Sequence, residues 1–348
     1  MNTKKQLSPV VPALRAQDPA LLYLGFLIIV LVVVFGVTLG DRFLSMRNLQ
    51  SMAYQIPELG ILAIAMMLTM ISGGIDLSII ATANATSLVT AAIIVSLMPD
   101  RVGPWPYMLL AVAAGLAVAL LIGAVNGLLI AYVGVSPILA TLGTSTLVSG
   151  LNVLLTGGYV ISGFPEAILY LGNGAILGIP VPFFVFLACV IIVGLILHRT
   201  PFGMTIYMIG TNPHATAFSG ISVRRVLLQI YTLAGFLAGI AALLMMARFN
   251  SARAGYASSY LLVTVLASVL GGVNPNGGSG TMVGLVMALA TLQIISSGLN
   301  VLGASSHLTM ALWGAILILV TFSPHARAWL QRWMRARSSR RSPQADAE

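Results

Sequence analysis

Beyond position 5 the chain contains no lysine, and it holds one cysteine and four histidines. Each scarcity excludes something. A P-loop needs G-x-x-x-x-G-K-[ST], whose lysine reaches the phosphates, so the chain has no nucleotide-hydrolysing loop of its own. A lone Cys189 inside an apolar run forms no disulfide framework and no thiolate metal site. His198, His214, His307 and His325 are scattered and H-E-x-x-H is absent, so neither a metal centre nor an enzyme is expected. Charge of either sign is scarce as well. Only 7% of residues are charged against about 25% in a soluble domain, too few to cover a water-facing surface.

What is abundant is apolar: 58% of the chain is hydrophobic. A helix needs about 20 apolar residues to cross the hydrocarbon of a bilayer. Runs of that kind predict an all-α, polytopic helical bundle with about ten transmembrane helices, at 21–39, 52–72, 77–97, 107–130, 137–155, 179–197, 226–247, 260–272, 281–299 and 306–322. The eighth is short for a full span, and a re-entrant segment is its alternative. The first run is too long for a signal peptide and lacks a small-residue cleavage site. The expected organisation is an N-terminal tail over 1–20, a membrane domain over 21–322, and a basic C-terminal tail over 323–348. No internal repeat stands out.

Ten spans leave both termini on one side. That side collects twelve cations, including Arg199, Arg224, Arg225 and six tail arginines, against Arg42, Arg47, Arg101, Arg248 and Arg253 on the other. Cytoplasmic loops carry the excess of Lys and Arg, so both termini are expected in the cytoplasm. The formal charge of +9 then reads as attraction to anionic membrane lipid, not to nucleic acid.

Within this apolar background, "ISGGIDLSII" at 71–80 buries a carboxylate behind two glycines. Gly73 and Gly74 permit a tight turn, and Asp76 reads as an N-cap facing the positive end of the next helix. A proton relay or a gate near the cytoplasmic mouth is the alternative, since an intramembrane acid is a functional suspect by default. Glu58 follows Pro57, which either breaks a helix beside a cavity or opens one near the headgroups. The glycine-rich stretch 271–284 lacks a lysine. It reads as a tight loop built on Gly271, Gly272, Gly277, Gly278 and Gly280, where small residues let helices approach closely.

Uncharged polar residues recur inside the spans, among them Asn84, Asn126, Thr141, Asn152, Gln293 and Asn300. Helix-to-helix hydrogen bonding is one account of them, worth about 0.6 kcal/mol each. A path for a neutral, hydroxyl-rich solute, with Glu58 beside it, is the other.

Several stretches taken together resemble one family. "SGGIDLS" at 72–78, "VNGLLIAYVGVSPILATLGT" at 125–144, "GTNPHATAFSGI" at 210–221, "LGGVNPNGGSGTMVG" at 270–284 and "SGLNVLG" at 297–303 look, in that order, like the membrane permeases of bacterial ATP-binding-cassette importers for ribose-type simple sugars, a group that includes autoinducer and polyol importers. The resemblance implies an inner-membrane permease subunit paired with a second permease, alike or different. It implies a cytoplasmic ATPase that binds the ATP, a periplasmic solute-binding protein, and no cofactor on this chain. It also gives the cytoplasmic stretch 198–225 a role against the ATPase. There Asn212, Pro213 and His214 start a short helix that Ser219 and Gly220 end. Proton-coupled secondary transport and passive facilitation are the rival expectations.

Overall fold

The computed structural model describes residues 19–97 and 105–320; the two tails expected at the termini lie outside the described residues, apart from the start of the first helix. In chain order the helices are α1 (Pro19–Leu39), α2 (Asp41–Leu44), α3 (Met46–Ile71), α4 (Ile79–Leu97), α5 (Trp105–Leu128), α6 (Pro137–Thr156), α7 (Glu166–Asn173), α8 (Val181–Arg199), α9 (Pro201–Thr211), α10 (Pro213–Phe218), α11 (Val223–Phe249), α12 (Tyr260–Leu270) and α13 (Met282–Val301), followed by α14 (Ser306–Val320). Two two-stranded ribbons join β1 (Ile161–Ser162) to β4 (Ser251–Ala252) and β2 (Ala175–Ile176) to β3 (Ile179–Pro180), both antiparallel. The protein is a polytopic helical membrane protein. Eight helices are long and apolar enough to cross a bilayer, and α12 and α14 are shorter apolar helices. A helix stands at each of the ten expected positions.

Burial sorts them. Only 6% of the residues in the α1 apolar stretch are buried, against 78% in α3 and 72% in both α4 and α11. The core is therefore α3 and α11 with their neighbours, and α1 lies outside it against α13. Pro57 sits within α3, which runs on through it, so the proline neither opens nor ends a helix.

Small residues set the closest approach. Gly123 of α5 faces Gly235 of α11, while Gly127 lies on Leu228 and Gly239 on Ala119; a Cβ on Gly127 would come within 2.8 Å of the Leu228 Cα, and one on Gly235 within 3.0 Å of the Gly123 Cα. This is small-xxx-small packing on both partners, the usual device where lipid supplies no hydrophobic drive between helices.

Two helix ends repeat each other. At the end of α3 the amides of Ser72, Gly73 and Gly74 donate to Leu68, Met70 and Thr69; at the end of α12 those of Gly271, Gly272 and Val273 donate to Ala267, Val269 and Ser268. The left-handed residue is Gly73 (φ 88°) in one and Gly272 (φ 86°) in the other. Both ends are Schellman-type caps, a local repeat that the apolar pattern conceals. The two ends lie together, because Ile71 and Val273 both pack against Gly280, and the Gly278 amide of the same loop donates to the Ile71 carbonyl at 2.9 Å.

At 11 residues, α12 is about 16 Å long by the helical rise, roughly half a hydrocarbon core. It packs against α3 and α13, and the 250–259 segment precedes it.

Candidate functional site

The turn Gly73–Gly74 leads into residues 74–78, which are not helical, and α4 starts only at Ile79. Asp76 is buried there and accepts both the backbone N–H of Ser78 (2.8 Å) and its hydroxyl (2.7 Å). The carboxylate thus closes an Asx-type turn just before the helix and is buried inside the bundle. Asn126 of α5 donates to the Ser78 hydroxyl at 2.7 Å. Thr141 of α6 accepts the Leu77 amide at 3.1 Å, and Asn152, further along α6, donates to the Ala81 carbonyl at 3.2 Å. Gly74 lies against the Tyr231 hydroxyl and Pro137, where a side chain would collide with both. Three residues of α5 and α6, Asn126, Thr141 and Asn152, therefore converge on the segment 75–81.

An amide side chain can accept the same two bonds from Ser78. Asp76→Asn is accordingly expected to keep most solute uptake, since Asn caps about as well as Asp, while Asp76→Leu loses it. Uptake assays normalised to protein in the membrane check the pair, and abolished uptake in a normally inserted Asn variant would contradict the capping role.

The other sequence candidates fall elsewhere. Asn84 donates to the carbonyls of Ala254 (2.9 Å) and Tyr256 (3.0 Å), pinning the segment before α12. Gln293 donates to Gln55 at 3.2 Å, whereas Asn300 is exposed at the end of α13. Glu58 is paired with Arg248, Oε1 to Nη1 at 3.2 Å. The sequence reading places Arg248 in a loop because it ends the seventh span at 247; the helix runs to Phe249 and carries the arginine in its last turn. The counter-charge for an acid in the bundle therefore comes from 190 positions away.

Within the stretch 198–225 the expected short helix stands as α10, and a further helix, α9, precedes it. Asn212 caps α10 by accepting the Ala215 amide at 3.0 Å, with Pro213 at the first helical position, and the Ser219 and Gly220 amides close its far end. Residues 211–220, His214 included, are exposed except for Thr216. Beneath them α9 is locked to the bundle. Tyr207 donates to the Gly280 carbonyl at 2.8 Å, and burial holds its phenol above the ordinary value, which keeps it a donor. Gly210 lies between the Ile71 carbonyl and the Gly278 amide, and Gly277 packs on Gly210 and Gly73. The 271–284 loop is itself closed at its base, where Gly271 meets Gly284 backbone to backbone. Tyr207 and Gly210 carry no signal in an apolar stretch; only a glycine so near the end of the segment hints at a close approach.

Residues 48–321 match the family model described as the permease component of the branched-chain amino acid transport system. The chain is 34% identical to the autoinducer 2 import system permease protein LsrD of Photorhabdus luminescens over 91% of its own length and 96% of the relative's. It is 35% identical to the Yersinia enterocolitica protein of that name, over 89% and 95%, and 33% identical to that of Escherichia coli K12, over 92% and 98%. No solved structure matches the chain. With a family model covering most of its length and relatives aligned nearly end to end, the chain belongs to this family of transport-system permease components.

Proposed function

We propose that the chain is the membrane permease subunit of an ATP-driven importer that carries a monosaccharide, or a related polyol or autoinducer, across the bacterial inner membrane. It crosses ten times with both termini in the cytoplasm. A partner ATPase binds and hydrolyses the ATP, a periplasmic binding protein delivers the solute, and a second permease subunit completes the path. The relatives' name, autoinducer 2 import, supports that solute class. The weight of arginine on the α9–α10 side supports the orientation.

The observation that carries the reading is α10: a capped helix exposed on nearly every residue, standing on α9, which is wedged by glycine contacts against the ends of α3 and α12. A rigid surface helix of this kind fits a groove on a partner and passes the partner's closure into the bundle as a rigid-body shift. Gly220 ends it at φ 80° with open space around its Cα. Gly220→Trp is therefore expected to insert into the membrane normally and to abolish solute-stimulated ATP hydrolysis by the reconstituted complex. Unchanged stimulation would defeat the proposal.

Secondary transport would need Glu58 or Asp76 free to exchange a proton. Glu58 is held by Arg248 and Asp76 by Ser78, which favours the importer.

A further inference from the structure

The segment between α11 and α12 lies deep in the bundle. Arg248, next to its start, pairs with Glu58, which is twelve residues, about 18 Å, from the Met46 end of α3. Asn84, which pins Ala254 and Tyr256, is thirteen residues, about 20 Å, from the Leu97 end of α4. Two separate helices thus place residues 248–256 at the same recessed level, on the opposite side of the bundle from α9 and α10. The shortness of α12 follows, because the helix begins part-way through.

Irregular backbone at membrane depth is tolerated where protein covers it or where it lines a water-filled cavity. Here Arg253, Gly255 and Ser258 are exposed, and neither an arginine nor free peptide groups can face hydrocarbon cheaply. The segment carries a cleft of about 470 Å³ lined by Phe249, Ser251, Tyr256, Ala257, Ser259 and Tyr260. Its chemistry is mixed: three aromatic rings and a set of hydroxyls, with Ser251 and Tyr256 bonded to each other at 2.7 Å and Phe249 edge-on to Tyr256 at 5.6 Å. Two residues other than glycine, Asn250 (φ 50°) and Ala257 (φ 54°), hold left-handed backbone at its margins, a strain that gathers at functional sites. Beneath lie two buried oxygens, Glu58 Oε2 and Asn84 Oδ1, with no hydrogen-bond partner among the described residues. Rings offer flat faces to C–H groups, and hydroxyls exchange hydrogen bonds with hydroxyls. The lining residues carry no formal charge.

We infer that this recessed cleft is an aqueous vestibule open away from α9 and α10, and that it takes a small neutral polyhydroxylated solute on its way into the bundle. The inference rests on the importer reading for the direction of traffic. In this arrangement the aromatic faces and hydroxyls receive the solute at mid-depth, and the Glu58–Arg248 pair braces the wall behind it.

The test uses the full chain in its own membrane. Ser259→Cys in the cleft and Ser258→Cys, exposed on the same segment, are treated with a charged, membrane-impermeant thiol reagent applied to the periplasmic side of spheroplasts. Ser268→Cys, buried in α12, and the native Cys189 are the controls. Both reporters are expected to be modified while the controls are not, and D-ribose, xylitol or erythritol at high concentration is expected to suppress modification of Ser259→Cys. If neither reporter reacts from that side, the vestibule is closed and the inference fails. Modification that none of the three polyols suppresses removes the polyol. Failure of the importer reading is a separate result, uptake that persists without the partner ATPase, and it leaves the labelling pattern untouched.

Discussion

Arg248→Met is expected to cost the protein about 3–5 kcal/mol, the usual penalty for removing one partner of a buried ion pair and stranding the other. The asymmetry of burial sets which partner matters more. Glu58 is 1% exposed by its side chain and Arg248 is 23% exposed, so the carboxylate loses its guanidinium with no access to water, whereas the guanidinium can still reach solvent if the carboxylate goes. Arg248 also donates to the Tyr54 carbonyl at 3.2 Å, a bond that survives changes at Glu58. Glu58→Gln should accordingly be mild, and it should retain uptake, which separates a brace from a proton-exchange site. Adding Glu58→Leu to Arg248→Met should restore most of the lost stability, because two apolar side chains remove the stranded charge. Thermal unfolding of the purified full chain in detergent, read for Arg248→Met, Glu58→Leu and the double, measures the coupling. An Arg248→Met variant as stable as the parent would mean that the pair contributes nothing.

The eight long apolar helices were legible because crossing hydrocarbon demands a long apolar run, and that demand is written residue by residue. The cap of α10 was legible for a related reason: Asn212, Pro213, Ser219 and Gly220 act within a few positions of one another. Long-range pairings were not. Asn126, Thr141 and Asn152 stand out as polar residues in apolar helices, yet nothing in their spacing says that all three serve the segment 75–81. The Glu58–Arg248 pair was hidden by a helix boundary misplaced by two residues, which turned a residue in the bundle into a loop cation. Two glycine patterns carry more than turn chemistry. Gly123-x-x-x-Gly127 and Gly235-x-x-x-Gly239 announce a close helix pair, and the glycine pairs at 73–74 and 271–272 mark equivalent helix ends. The aromatic cleft escaped because its short segment reads as an ordinary connection until the depth of its anchors is known.

The largest functional loss is expected at Gly210. A methyl group there would lie against the Ile71 carbonyl and the Gly278 amide, the two groups that hydrogen-bond to each other and hold the end of α3 to the loop that follows α12. All the obstructing atoms are backbone, so no side chain can swing aside, and α9 must lift from the bundle or the bond must open. Overpacking of this kind costs about 1–3 kcal/mol. If the motion of α10 reaches the bundle through this junction, that is a reduction of roughly 5- to 150-fold in coupling between ATP hydrolysis and transport. Gly210→Ala should therefore insert, bind the ATPase through an intact α10 and permit basal hydrolysis, while uptake falls at least about fivefold. Ala217→Ser, on the exposed surface of α10 away from the junction, controls for a change that leaves the contact alone. Because Gly277 also packs on Gly210 and Gly73, Gly277→Ala should reproduce the defect from the opposite side of the contact, with added strain from its φ of 91°. Wild-type uptake in Gly210→Ala would show that the ends of α3 and α12 can separate from α9 without consequence. The path from the surface helix into the bundle would then have to run along α11 instead, through the α10–α11 connection at 219–222.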